Sequence, residues 1–182
     1  MAYEQTATGW RFGVARVIRG IGWISTVCGW IAAGMIFASV LITCQMIIVR
    51  FVLRQSTIWQ TETVIYLMIG ATMLGLPYVQ KLRGHVNVDL LPLYLRGWPR
   101  KVLAVVVLIS GIAVLAVMTW YSFENWLEAW QRGWRSSSVW GPPLWIPYAA
   151  LPLGIGLFIL QLFADLLGLL SGLDKPFGLE DD

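Results

Sequence analysis

Charge is scarce in this sequence. Lys and Arg together number 13 and Asp and Glu 10 in 182 residues, so charged groups make up 13% of the chain against 58% hydrophobic residues. A soluble domain of this length needs far more polar surface, and the composition excludes one. Histidine occurs once, at His85, which argues against a haem-binding bundle with its several imidazole ligands. Cysteine occurs twice, at Cys28 and Cys44. On one helical run they lie about 24 Å apart, too far to bridge, and the outward loops carry none of the cysteine pairs a disulfide-exchanging membrane enzyme needs. Both are expected as buried small apolar residues.

What remains is long apolar sequence. Charge-free runs extend over 20–49, 63–80, 102–123 and 136–164, and a bilayer core of ~30 Å takes about 20 helical residues. The period-2 alternation of a membrane barrel is absent, so the backbone is satisfied internally only as helix. The expectation is an all-α integral membrane protein in one domain over 1–182, with spans at 21–49, 59–80, 102–123 and 143–167. Arg11, Arg16 and Arg19 precede the first run, but it is much longer than the ~7–15 residues of a signal peptide core, so it is expected to stay attached as span one.

The basic residues set the orientation. With both termini cytoplasmic, Arg11, Arg16, Arg19, Lys81, Arg83, Arg96, Arg100, Lys101 and Lys175 fall inside, and only Arg50, Arg54, Arg132 and Arg135 fall outside. That is the positive-inside bias. The basic groups are placed for lipid head groups, and no nucleic-acid partner is implied. Most of the eleven tryptophans, among them Trp10, Trp23, Trp59, Trp98, Trp120, Trp140 and Trp145, fall near span ends, as an interfacial belt requires.

Short amphipathic elements are expected beside the spans. At 9–20, Trp10, Val14, Val17 and Ile18 share one side and the arginines the other, which suits an inner-surface helix. At 124–135, Trp126, Trp130 and Trp134 recur every fourth residue while Glu124, Glu128 and Arg132 recur on the opposite side. This outer-surface segment offers Glu124, Glu128, Arg132, Trp126 and Trp130 as candidate contacts to an extracytoplasmic partner. Segment 86–97 suits a short inner-surface element and 171–182 a polar tail. Small residues spaced by four, Gly34 with Ala38 and Ala71 with Gly75, mark expected close helix approaches.

Ionisable groups inside spans are the natural functional candidates in a membrane. Glu62 sits in the first turn of span two, where the helix dipole favours it and Arg50 or Arg54 can pair with it across the loop. Asp165 sits at the far end of span four. Neither is near a midplane. A self-sufficient small antiporter working through Glu62 is the alternative reading, but such a carrier would bury its carboxylate deep in span one, which here has no charge. Repeats or broken helices around a central site are also missing, since Pro77 falls near the inner end of span two and Pro147 and Pro152 in the outer half of span four. No catalytic group, metal set or cofactor site emerges, and an enzyme is not expected.

The stretch "WQTETVIYLMIGATMLGLPYVQKLRGHVNVDLL" resembles the signature of the small membrane (DctQ-like) subunit of tripartite ATP-independent periplasmic, or TRAP, transporters. The matching positions are Trp59, Glu62, Tyr66, Gly70, Ala71, Gly84, His85, Val86, Val88 and Asp89. "PPLWIPYAALPLGIGLFILQLFADLL" is similar to that family's last span, through Pro152, Gly154 and Gln161. The resemblance covers about 21–170, with "RSSS" at 135–138 where many relatives have a Glu-x-Ser pair. It implies a bacterial inner-membrane protein that binds no substrate itself. It also implies a large multi-helix membrane subunit carrying substrate and sodium as partner, and a periplasmic binding protein delivering an organic acid. The small subunit would extend the fixed scaffold. On this reading Gly84 ends span two in the left-handed conformation, and His85 and Asp89, four apart, shape the inner joint before span three.

Overall fold

The computed structural model describes residues 2–82 and 98–171, with side chains from residue 12 onward. The described residues form four helices: α1 (Ala2–Phe51), α2 (Ile58–Lys81), α3 (Trp98–Gln131) and α4 (Trp145–Leu170). Each contains a window long and apolar enough to cross a membrane. The described residues form no strand, only an isolated bridge between Arg135 and Pro143.

Helices α1 and α3 are far longer than a bilayer needs. The 50 residues of α1 and the 34 of α3 reach about 75 and 50 Å at the helical rise. The expected surface helix at 9–20 is therefore not a separate element, because α1 runs straight through it into the span. The segment 124–135 is likewise the end of α3, as far as Gln131. The reason lies in the sequence: no proline precedes Pro77 and none falls between Pro99 and Pro142, so nothing breaks the backbone ladder. Helix α3 stops where Gly133 takes a left-handed φ of 61°, the usual glycine exit.

The packing order differs from the chain order. Helix α2 packs on both α1 and α4, α1 also touches α4, and α3 leans on α4. The inward row of α1 is Ile21, Ser25, Cys28, Ala32 and Ser39, all buried and spaced by three, four or seven. These residues are small, so α2 comes close, as membrane helix packing requires. A Cβ at Gly29 would run into the ring of Tyr78 on α2, and one at Gly75 would lie 3.7 Å from the Cβ of Ala32. Ala71 is buried in the same contact. The expected approach at Gly34 and Ala38 does not form, because a Cβ at Gly34 would meet nothing within 4 Å. The α1 approach is set instead by the Gly29 and Ala32 row, one helical face away.

Large apolar side chains cover the outside. Trp23, Trp30, Phe37 and Phe51 are between 65% and 77% exposed. Such a surface is excluded from water and fits the hydrocarbon of a membrane. Of the cysteines, Cys28 is buried and Cys44 exposed, so the expectation of burial for both is corrected at Cys44, which lies on that outward face.

Candidate functional site

Among the described residues, the polar side chains that bond from one helix to another gather at the two ends of the bundle, while buried Ser39 in the middle of α1 donates to the Met35 carbonyl of its own helix. Helix α2 presents Glu62, Tyr66, Met73 and Gln80 on one stripe at steps of four and seven, and that stripe faces α4. Helix α4 answers with buried Pro147, Gly154, Gln161 and Gly168, each seven residues after the last. The two rows meet along their length.

At one end stands Glu62. The hydroxyl of Ser136, in the α3–α4 connection, donates to its Oε1 at 2.6 Å, a length typical of a charge-assisted bond. Ser136 accepts in turn from the Ser138 N–H at 3.4 Å. The connection is itself pinned, with Ser136 N–H donating to the Pro142 carbonyl at 3.0 Å and Leu144 N–H to the Trp134 carbonyl at 2.9 Å. Tyr66 also interacts with Ser136 and lies in electrostatic reach of Glu62 and Tyr148. The expected pairing of Glu62 with Arg50 or Arg54 is replaced by this serine, because the α3–α4 connection folds over the start of α2 while both arginines face outward. The Oε2 atom of Glu62 and the Oε1 atom of buried Gln60 have no hydrogen-bond partner. Trp59 points outward and is 46% exposed.

At the other end three helices share a clasp. Asp165 accepts from Gln80 Nε2 at 2.9 Å through Oδ2 and from Gln161 Nε2 at 3.0 Å through Oδ1. Ser25 on α1 donates to Gln161 Oε1 at 2.6 Å. Beside them Lys81 donates to the Gly22 carbonyl at 2.8 Å and to Thr26 Oγ1 at 2.6 Å. Ser25 and Gln161 are only 2% and 4% exposed, so the bond between them forms where water cannot compete, while the Asp165 bonds are half-buried and those of Lys81 exposed. Interhelical bonds of this kind are each worth about 0.6 kcal/mol, up to ~2.

Between α3 and α4 lies a groove of about 500 Å³, with Thr119, Trp120, Phe123, Trp126, Pro152 and Leu153 among its walls. Its lining is apolar and offers nothing to hold a charged substrate. Pro152 thus faces α3, on the side of α4 away from Gly154 and Gln161. The aromatic groups beyond it form a chain: Phe123 to Trp126 at 5.5 Å, Trp126 to Trp130 at 6.0 Å, and Trp130 edge-on to Trp145 at 4.6 Å. Trp126 and Trp130, candidate partner contacts from the sequence, take part in this chain of rings, and Trp130 remains 53% exposed. Glu124 accepts from the Trp120 indole at 2.9 Å, and Glu128 pairs with Arg132 at 3.0 Å on the exposed side.

Of the sequence-derived positions, Glu62, Tyr66, Gly70, Gly154 and Gln161 lie at helix contacts. Gly84, His85 and Asp89, with the whole segment 86–97 and the tail beyond Ser171, fall outside the described residues. Sequence reasoning missed Ser25, Gln80 and Ser136. Among the described residues no three His, Cys, Asp or Glu side chains gather as a metal site would need.

A family model described as "Tripartite ATP-independent periplasmic transporters, DctQ component" matches residues 39–172. Its span takes in Glu62, Ser136, Gln80, Gln161 and Asp165, and leaves out the Ser25 end of α1. No curated protein sequence matches the chain.

Proposed function

The chain belongs to the DctQ family of tripartite ATP-independent periplasmic transporter components, and we propose that it works there as a fixed scaffold for a large, multi-helix transport subunit. Membership makes it a multi-pass inner-membrane part of a transport system. The proposal concerns how it takes part. The large subunit carries the organic acid and the driving sodium ions, a periplasmic protein delivers the acid, and this chain moves neither.

The observation that supports this is how the buried polar groups are used. Gln80, Asp165, Gln161 and Ser25 bond one another across three helices, and Glu62 bonds the α3–α4 connection. Polar groups spent on fixing helices against each other are not free to bind and release a solute. A carrier needs the reverse, a polar site near the membrane centre whose walls exchange partners. The apolar exterior of α1 suits a partner or lipid within the bilayer, and the bias of Lys and Arg supports a topology with both chain termini on the cytoplasmic side. The Glu62 end then faces the periplasm.

Uptake in proteoliposomes tests the proposal. Chain, large subunit and binding protein together are expected to accumulate a radiolabelled organic acid under a sodium gradient, while the chain alone accumulates none. Ion-coupled uptake by the chain alone would favour the small-antiporter alternative.

A further inference from the structure

Helices α2 and α4 come close at Gly154, where an added Cβ would lie 2.5 Å from the Met73 carbonyl oxygen and 2.6 Å from the Met73 Cβ. That carbonyl is unusual within α2. In an α-helix it would accept from the N–H four residues later, and four residues after Met73 comes Pro77, which has no N–H. Pro77 lies inside α2 and is fully buried. A carbonyl deprived of its donor at membrane depth has no water to turn to, and it destabilises the helix if nothing replaces the lost bond.

We infer that Pro77 and Gly154 are a matched positioning pair: Pro77 frees the Met73 carbonyl, and the Cα–H of Gly154 takes it up as a C–H···O bond that welds α2 to α4. The hydrogen glycine carries in place of Cβ is the group that meets the oxygen. Cα–H···O contacts recur where helices pack closely, and here the missing N–H makes the carbonyl a better acceptor than any neighbour on the helix. Gly154 is seven residues before Gln161, so the weld stands two turns from the Asp165 clasp on the same face of α4. Together they fix both the spacing and the rotation of α4 on α2.

Simple crowding makes a different prediction. If Gly154 is there only because the helices are close, serine at 154 should be at least as damaging as alanine, being larger. If the carbonyl needs a donor, a serine hydroxyl can supply one and recover part of the loss. Restoring an N–H at position 77 should also help once the glycine is gone.

The test uses the full-length chain in lipid nanodiscs, with thermal midpoints for Gly154→Ala, Gly154→Ser, Pro77→Ala and Pro77→Ala/Gly154→Ala, and a spin-label distance between α2 and α4. Gly154→Ala is expected to lower the midpoint and lengthen the distance. Gly154→Ser should hold a higher midpoint than Gly154→Ala, and Pro77→Ala should raise the midpoint in the Gly154→Ala background while failing to do so in the native chain. If Gly154→Ala does not fold, recovery of a folded bundle in Gly154→Ser or in the double variant supports the weld, and failure of both overturns it. A serine variant no better than alanine, or the same Pro77→Ala shift in both backgrounds, also overturns it.

Discussion

Ser136 donates its hydroxyl to Glu62 across 2.6 Å although 74 positions separate them in the chain. The bond ties the α3–α4 connection to the second turn of α2, and with it the end of α3, which otherwise packs mainly on α4. The second carboxylate oxygen is buried without a partner, so this hydroxyl is the hydrogen bond that compensates Glu62 for its lost water.

The first prediction follows from that asymmetry. Ser136→Ala leaves a buried carboxylate uncompensated and should lower stability by about 1–3 kcal/mol. Removing the carboxylate as well, in Ser136→Ala/Glu62→Met, should recover most of it. Thermal midpoints in nanodiscs check this, and a double variant less stable than Ser136→Ala would count against the bond.

A second prediction concerns the clasp. Asp165 accepts from two amide N–H groups, and Asp165→Asn puts a donor against one of them. The loss should be about 1–3 kcal/mol. It should be sub-additive with Gln80→Leu, since partners in one network do not contribute independently. A double-mutant cycle on the thermal midpoint measures the coupling, and strict additivity would mean that Gln80 and Asp165 do not interact.

The four helices were legible in the sequence because their apolar runs exceed any soluble helix, and Gly154 and Gln161 stood out with the family-like last span. The clasp was not legible. Ser25, Gln80 and Asp165 sit near span ends, where polar residues are ordinarily solvated, and their meeting depends on α4 packing against both α1 and α2 rather than beside α3 alone. One signal was present: Glu62, Tyr66, Met73 and Gln80 fall on a single helical stripe, so a polar partner for Glu62 implied one for Gln80. Ser136 carried no such signal, because a loop has no period to read. The unbroken lengths of α1 and α3 could have been read from the missing prolines, but amphipathic patterning suggested separate surface helices.

Topology gives a third prediction. A reporter active only outside the cytoplasm should give signal when fused in the α1–α2 connection near Arg54 or in the α3–α4 connection near Ser138, and none when fused near His85. Signal at His85 would invert the orientation and move the Glu62 end to the cytoplasm.

His85 and Asp89 carry a fourth, resting on the sequence alone. If they shape the joint between α2 and α3, His85→Ala and Asp89→Ala should each lower the stability of the assembled complex by ~1 kcal/mol, as for a lost local hydrogen bond. Substrate preference and sodium dependence should not change. A well-assembled but inactive His85→Ala complex would point instead to a proton-handling histidine.

The most direct test of the scaffold reading is sodium-driven organic-acid uptake by proteoliposomes holding the purified chain alone, compared with vesicles holding it together with its large membrane subunit and binding protein. No accumulation by the chain alone and robust accumulation by the complete system is the expected result. Gradient-dependent accumulation by the chain alone, abolished by Glu62→Gln, would contradict it.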